Sequence, residues 1–153
     1  METIVVGLDG SNGARAAARW AASQAQEHDA RIVAVHAVPR SELWSLSAVQ
    51  VDIDAVLAEL RELLDGRWSA PLRTVAHTTQ LVRGEPATQL LRVADRVGAS
   101  MIVIGTKSHN AVADLVVGGT VHKVINRSAL PVVLVPTPTA PKRKPSTRTR
   151  ARK

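Results

Sequence analysis

Four stretches of this chain hold aliphatic, mostly β-branched side chains at consecutive positions: TIVVGLD at 3–9, RIVAVHAV at 31–38, SMIVIG at 100–105 and LPVVLVP at 130–136. They do not alternate apolar with polar residues. A strand that is apolar at neighbouring positions has both of its faces covered, as in a parallel sheet packed between helices. A fifth run, LRTVAHTTQLV at 72–82, is partly alternating and polar and is the weakest of the set. The segments between the runs have helical spacing. Ser11 or Asn12 can cap an Ala-rich helix from about Ala14 to Glu27, with Ala17, Trp20, Ala21, Gln24 and Ala25 on one face. Ile53, Val56, Leu57, Leu60, Leu63 and Leu64 recur at helical intervals, and Gly66 is expected to end that helix. Pro86 and Gly98 bracket another, and a last one is expected from about Gly119 to Asn126. Residues 40–50 read as a loop, with Trp44 in it as a packing group.

Strands alternating with helices build parallel βαβ units with right-handed crossovers. The fold class is therefore α/β: a doubly wound, open, five-stranded parallel sheet with helices on both faces. A chain of 153 residues fits one such domain and can bury about two-thirds of its unfolded surface. Phe and Tyr are absent, so Val, Ile, Leu and Ala must form the core. The absence of Cys excludes disulfides and thiolate metal sites. Met1 leads straight into ETIVVGLDGS without a basic, then apolar, leader, and no apolar run approaches the roughly 18 residues of a membrane span. These features predict a cytoplasmic protein with no membrane partner.

The net charge of +7 is concentrated at one end. Lys142, Arg143, Lys144, Arg148, Arg150, Arg152 and Lys153 account for seven of the twenty basic residues, which leaves a body of thirteen basic against thirteen acidic residues. The domain is thus expected over 1–136 and a disordered basic tail over 137–153. The tail suits weak nucleic-acid contact through residues 142–153, or serves only as a solubilising end.

In an open parallel sheet, ligands bind beyond the carboxyl ends of the strands, where the strand order reverses. Three strand ends can meet there: GLDGS at 7–11, HAVP at 36–39 and GTKSHN at 105–110. The first brings Asp9, Gly10 and Ser11 ahead of a helix. The third brings backbone N–H groups, the Lys107 ammonium and the Ser108 hydroxyl. Gly118 and Gly119 let another helix terminus approach closely, with Thr120 as a hydroxyl donor, and such amide-rich termini attract phosphate. Each residue also has a purely structural role open to it. Asp9 can close an Asx turn or cap a helix, and Ser11 is a cap before it is a phosphate contact. His36 reads as a hydrogen-bonded core residue. Lys107 and His109 are solvated unless phosphate is present, and His122 and Lys123 belong on an outer helix face. No P-loop, no GxSxG elbow, no paired carboxylates and no metal-ligand spacing among His28, His36, His77, His109 and His122 occur, so an enzyme is not expected.

The segments TIVVGLDGS, AVHAV, VRGEPATQLLRVADRVGASMIVIGT and GGTVHKVINRSALPVVLVP resemble, in order and spacing over about residues 2–136, the universal stress protein family. The resemblance implies a Rossmann-like sheet with the strand order 3-2-1-4-5 and often a homodimer through the last strand, here residues 130–136. It also implies, in one branch, adenine-nucleotide binding, with ATP as the cofactor and Mg2+ as its optional companion. Members of that branch carry G-x-x-G, nine residues, then G-[S/T]. Gly105 and Gly118 match this pattern, while Ser108 and Gly119 depart from it. Carried over residue by residue, the resemblance gives Asp9 a ribose or adenine contact and Ala37 a backbone contact to adenine. The nucleotide-binding set becomes Gly7, Leu8, Asp9, Ser11, Ala37, Gly105, Thr106, Lys107, Ser108, His109, Gly118, Gly119 and Thr120. The function implied is a stress-response regulator acting through a ligand-dependent conformation or dimer state. The alternatives are an interaction module of the same fold that binds no nucleotide, and a nucleic-acid-associated protein working through its tail.

Overall fold

The computed structural model describes residues 1–108, 115–116 and 118–138. Five parallel strands form the main sheet: β1 (Thr3–Gly7), β2 (Arg31–Val38), β3 (His77–Arg83), β4 (Met101–Gly105) and, last in the chain, β7 (Val132–Val135). Their order is β3-β2-β1-β4-β7, which counted over these five strands alone is the expected 3-2-1-4-5. β1 lies at the centre, with Ile4 in register with Ile32 on one side and Met101 on the other. The chain builds outward from β1 to β3, then returns to add β4 and β7 on the opposite side. The strand order therefore reverses between β1 and β4.

The continuous apolar runs are explained by two separate cores. On one face Ile4, Val6, Ile32, Ala34 and Val103 pack against α1 (Asn12–His28) through Ala17, Ala18, Ala21 and Ala25, with Leu64 and Leu72 alongside. On the other face Val5, Val33, Val35, Ile102 and Ile104 meet Ala87, Leu90, Val93 and Ala94 of α4 (Pro86–Arg96) and Val121 and Val124 of α5 (Gly119–Arg127). Neighbouring residues of one strand feed opposite cores, so neither position can be polar. The alanines of α1 let its backbone lie close to the sheet. Trp20 packs half-buried against that core, as its helical spacing predicts.

Several local expectations are corrected. Residues 40–50 are not a loop: Pro39 ends β2 and stands at the N-cap of α2 (Arg40–Ala48). Serines at 41, 45 and 47 disguise this helix, because serine favours turns. Here the Ser45 hydroxyl bonds the Ser41 carbonyl four residues back, at 2.9 Å, and remains compatible with a helix. Trp44 is 79% exposed and is not a packing group, because α2 buries none of its residues. Gly66 does not stop α3 (Ile53–Leu63), which continues as a π-turn over Leu64–Trp68. β3 begins at His77 rather than 72, since Leu72 closes a short 3₁₀ turn and drops fully buried into the α1-side core. A two-residue antiparallel pair, β5 (Lys107–Ser108) with β6 (Leu115–Val116), follows β4 and has no signal in the sequence pattern.

Candidate functional site

The carboxyl ends of β1, β2 and β4 open into a cavity of about 280 Å³ at the point where strand order reverses. That volume is near the lower end of the roughly 300–1,000 Å³ usual for small-molecule sites. Its floor is aliphatic: Val35 and Ala37 of β2, Leu90 of α4 and Ile104 of β4. Its rim is built by three turns. Gly7, Leu8, Asp9 and Ser11 come from the β1–α1 turn, Gly105 and Thr106 from the end of β4, and Gly118, Gly119 and Thr120 from the start of α5. Together with Ala37, these are ten of the thirteen sequence-derived candidates, brought to one place. The backbones of Lys107 and Ser108 continue from Thr106 in β5, while His109 lies outside the described residues, as do residues 142–153.

The β1–α1 turn shows why its residues are what they are. The Leu8 N–H donates to the Val35 carbonyl at 2.8 Å, carrying the chain one step past β1. Asp9 is exposed, and its Oδ1 accepts from the Ser11 N–H at 2.9 Å, closing the anticipated Asx turn. Ser11 caps α1 by accepting from the Ala14 N–H at 3.1 Å. Its hydroxyl proton remains available for a further acceptor. Between them Gly10 has φ +80°, and a Cβ there would stand 2.7 Å from the Trp68 ring, so both conformation and space demand glycine.

The glycines of the G-x-x-G-like segment have different causes. A Cβ on Gly105 would lie 2.0 Å from the Gly13 carbonyl oxygen, and one on Gly13 would lie 2.7 Å from the Thr106 oxygen. Gly105 is thus needed for α1 to pack on the end of β4, whatever else it does. Gly118 and Gly119 are the reverse: a Cβ on either would meet nothing within 4 Å, and neither has a positive φ. No packing within the described chain requires glycine at these two cavity positions.

Two polar features belong to residues of the same rim. The Thr106 residue is 3% exposed, yet its Oγ1 has no hydrogen-bond partner among the described residues. A buried hydroxyl left so costs about 1–3 kcal/mol unless something satisfies it. The N-terminus of α5 is also uncapped by any side chain, so its first N–H groups face the rim without an intrahelical partner.

His36 is hydrogen-bonded as the sequence reading expects, and it also borders the cavity, at the strand end that reading brought to the site without counting His36 among the candidates. Its Nδ1 lies 2.7 Å from the Leu8 carbonyl, and because a carbonyl only accepts, Nδ1 carries the proton. Its ring stands edge-on to Trp68 with centroids 5.0 Å apart. Neither Gly13 nor Trp68 carries a motif signal, yet both shape the turn.

Behind the rim, Glu85 caps α4 and ties it to α5. Its carboxylate accepts from the Thr88 hydroxyl and, at 2.9 Å, from the Thr88 N–H. It also pairs with Lys123 at 3.1 Å and Arg127 at 3.8 Å. The Thr88 hydrogen bonds, followed by Lys123, lower its pKa from the ordinary 4.5 to about 2. His122 and Lys123 lie on the exposed side of α5, as expected. Among the described residues, no group of three or more His, Asp or Glu is placed to hold a metal ion, and no helix is long and apolar enough to cross a membrane.

A parallel sheet with a small cavity at its reversal point places the chain among the Rossmann-like α/β proteins. The universal stress protein family model matches residues 1–136, and the chain belongs to that family. A universal stress protein of Thermus aquaticus is 32% identical over 135 residues, covering 88% of this chain and 98% of its own. The structure of a universal stress protein from Archaeoglobus fulgidus superposes with a TM-score of 0.70 at 25% identity, over 88% of this chain and 98% of that one. A universal stress protein solved in complex with cAMP superposes with a TM-score of 0.59 at 26% identity, over 90% and 98%.

Proposed function

We propose that this universal stress protein binds an adenine nucleotide, ATP or a close relative, in the reversal-point cavity, and that occupancy sets a conformation or dimer state read by a partner. The observation that carries this reading is the glycine pair Gly118–Gly119. It borders the cavity at a helix N-terminus uncapped by any described side chain, where no described residue gives a reason for glycine. Glycine there leaves room for an anion to approach the backbone N–H groups. The unpartnered Thr106 hydroxyl supports the same reading, as does a 26%-identical neighbour solved with cAMP.

In this reading the aliphatic floor takes the adenine ring. β1 pairs with β2 only as far as Gly7–Val35, so the Ala37 main chain runs beyond the end of β1 along the cavity wall, where it can meet the edge of the base. Asp9, with one oxygen engaged by the Ser11 N–H, has acceptor capacity left for the ribose hydroxyls. The phosphates fall to Ser11, Thr106 and the Gly118–Thr120 terminus, with Lys107, Ser108 and His109 in the segment that follows β4. Gly119 keeps its N–H although it lacks the hydroxyl of the family pattern, and Thr120 supplies one next to it. Mg2+, where present, has Asp9 as the only cavity carboxylate among the described residues and would rely chiefly on phosphate and water oxygens.

The proposed dimer forms through residues 130–136. β7 is a sheet edge of four aliphatic residues, and exposed edges of that kind are covered in most proteins. Sedimentation at tens of micromolar should show a dimer, and a monomer there would remove this part of the reading. The nucleotide claim is tested by native mass spectrometry of the purified protein, followed by titration with ATP and AMP. No bound nucleotide and no heat of binding at millimolar ligand would leave the nucleotide-free interaction module as the correct alternative.

A further inference from the structure

Asp9 is exposed at the cavity rim, and the residues on either side of it are the ones held in place. On one side the Leu8 carbonyl accepts from His36 Nδ1 at 2.7 Å. On the other, Gly10 lies against the indole of Trp68, where an added Cβ would stand 2.7 Å from both Cε2 and Nε1 of the ring. The His36 ring in turn meets Trp68 edge-on, with centroids 5.0 Å apart. One indole therefore braces Asp9 from two directions, directly at Gly10 and through His36 at Leu8. Trp68 is not itself among the residues that line the cavity. With Gly10 and Ser11 it lines a separate recess of about 60 Å³.

The segment that carries this ring is firmly anchored. Trp68 closes the π-turn Leu64–Trp68, and single π-turns of this kind are frequent at functional sites. Leu64, Ser69 and Leu72 are buried and seat the turn beside α1. The Asp65 carboxylate accepts from the Thr79 hydroxyl of β3, and the Ser69 hydroxyl donates to the Asp65 carbonyl at 3.0 Å. By contrast α3, which leads into the turn, buries none of its residues. Trp68 also packs half-buried against the α1-side core, so its loss lowers stability as well. Core packing alone asks only for an apolar side chain there. It does not ask for a ring set against a glycine at φ +80° and a histidine on the cavity wall.

We propose that Trp68 is a positioning residue of the nucleotide site: held by the π-turn, it sets Asp9 for the ribose through Gly10 and His36 without touching the ligand. This rests on the nucleotide reading above. The test is a double-mutant cycle on ATP affinity in the full chain, with wild type, Trp68→Leu, Asp9→Ala and the combined variant. Circular dichroism checks folding and urea unfolding measures stability. Each single substitution should weaken ATP about five- to tenfold. Because Trp68 acts through Asp9, the combined variant should bind within about twofold of Asp9→Ala alone, while the losses in stability add. Trp68→Phe, which keeps a ring against Gly10, should bind within about threefold of wild type. Losses that multiply to about 25-fold or more in the combined variant would show two separate actions and overturn the proposal. So would a folded Trp68→Leu chain whose ATP affinity stays within about twofold of wild type, or a Trp68→Phe chain as weak as Trp68→Leu. In each of these cases ATP still binds the wild type and the nucleotide reading stands. If the wild type binds no ATP, both fall. Should Trp68→Leu fail to fold, Trp68→Met, which keeps more of the apolar volume, takes its place in the cycle under the same criteria.

Discussion

Gly118→Asp should move stability and binding in opposite directions. Gly118 is the N-cap residue of α5, with φ −58° and ψ 159°, a conformation any residue adopts. No described atom lies within 4 Å of its Cβ position, so an aspartate enters without a clash among the described residues. Aspartate is a preferred N-cap whose oxygen can accept from the unpartnered N–H groups at positions 120 or 121. The gain over glycine is a few tenths of a kcal/mol from the cap and about 0.3–1 kcal/mol from the helix dipole. A net stabilisation of about 0.5–1 kcal/mol raises the melting temperature by roughly 1–4 °C in a domain of this size. For a nucleotide the same carboxylate is repulsive. Two unit charges about 4 Å apart at an effective dielectric constant near 20 repel by about 4 kcal/mol. Even with half of that relieved by ligand movement, ATP affinity should fall at least about thirtyfold. Differential scanning calorimetry without ligand and isothermal titration with ATP measure the two effects. ATP binding within about threefold of wild type would refute the phosphate position. A destabilisation above about 1 kcal/mol would refute the claim that the protein has no use of its own for glycine at 118.

Gly105→Ala should do the converse and damage the fold first: its Cβ, 2.0 Å from the Gly13 oxygen, forces α1 off β4 by about 1 Å. Overpacking against backbone costs about 3 kcal/mol, or roughly 6–12 °C in melting temperature, and a variant within about 1 kcal/mol of wild type in urea unfolding would show that α1 yields easily. Glu85 predicts acid sensitivity of definite sign. Its folded pKa of about 2 lies below the ordinary 4.5, so its contribution is complete above about pH 4.5 and is lost as pH falls through about 2. Across that window Glu85→Gln should lose less stability than wild type in thermal melts, and parallel pH profiles would remove the network as the cause.

The parallel sheet and its burial on both faces were legible because strands buried on two faces need apolar residues at consecutive positions, and few other structures do; the strand order came from the family resemblance alone. The turn chemistry of Asp9 and Ser11 was legible for a similar reason: short polar side chains at a strand-to-helix junction have few alternatives. α2 was hidden because serine and proline favour turns in isolation, and because a helix that buries nothing leaves no periodic apolar stripe. β3 was misplaced at its start because Leu72 and Val75 are aliphatic for the sake of the α1-side core, not of the sheet. At the site, the motif located Gly105 and Gly118 without revealing that one is held by helix packing and the other by nothing in the described chain. The orphan hydroxyl of Thr106 and the cavity position of His36 depend on which strands end side by side, and no local pattern carries that information.

The way a bound anion could reach the dimer edge follows from the place of α5 in the chain. Its N-terminal turn, Gly118–Thr120, borders the cavity, and the whole helix is nine residues, about 13 Å, long from that rim to Arg127. Val121 and Val124 are buried against α4, and Lys123 and Arg127 hold Glu85, so α5 moves with α4 or breaks those contacts. Beyond Arg127 the Ser128 hydroxyl both accepts from the Leu130 N–H at 3.0 Å and donates to the Leu130 carbonyl at 2.9 Å, which stiffens the step into β7. Ligand at one end of α5 and the proposed dimer edge at the other are thus joined by a short helix and a braced turn. Tight binding alone does not shift such an element; the nucleotide must favour one position of α5 over another. A tenfold preference biases the equilibrium by about 1.4 kcal/mol. Because such coupling is reciprocal, dimerisation would raise nucleotide affinity by the same factor that nucleotide raises dimerisation. Titrating ATP below and above the dimer dissociation concentration reads that factor directly, and equal affinities in the two regimes would show that α5 does not link them.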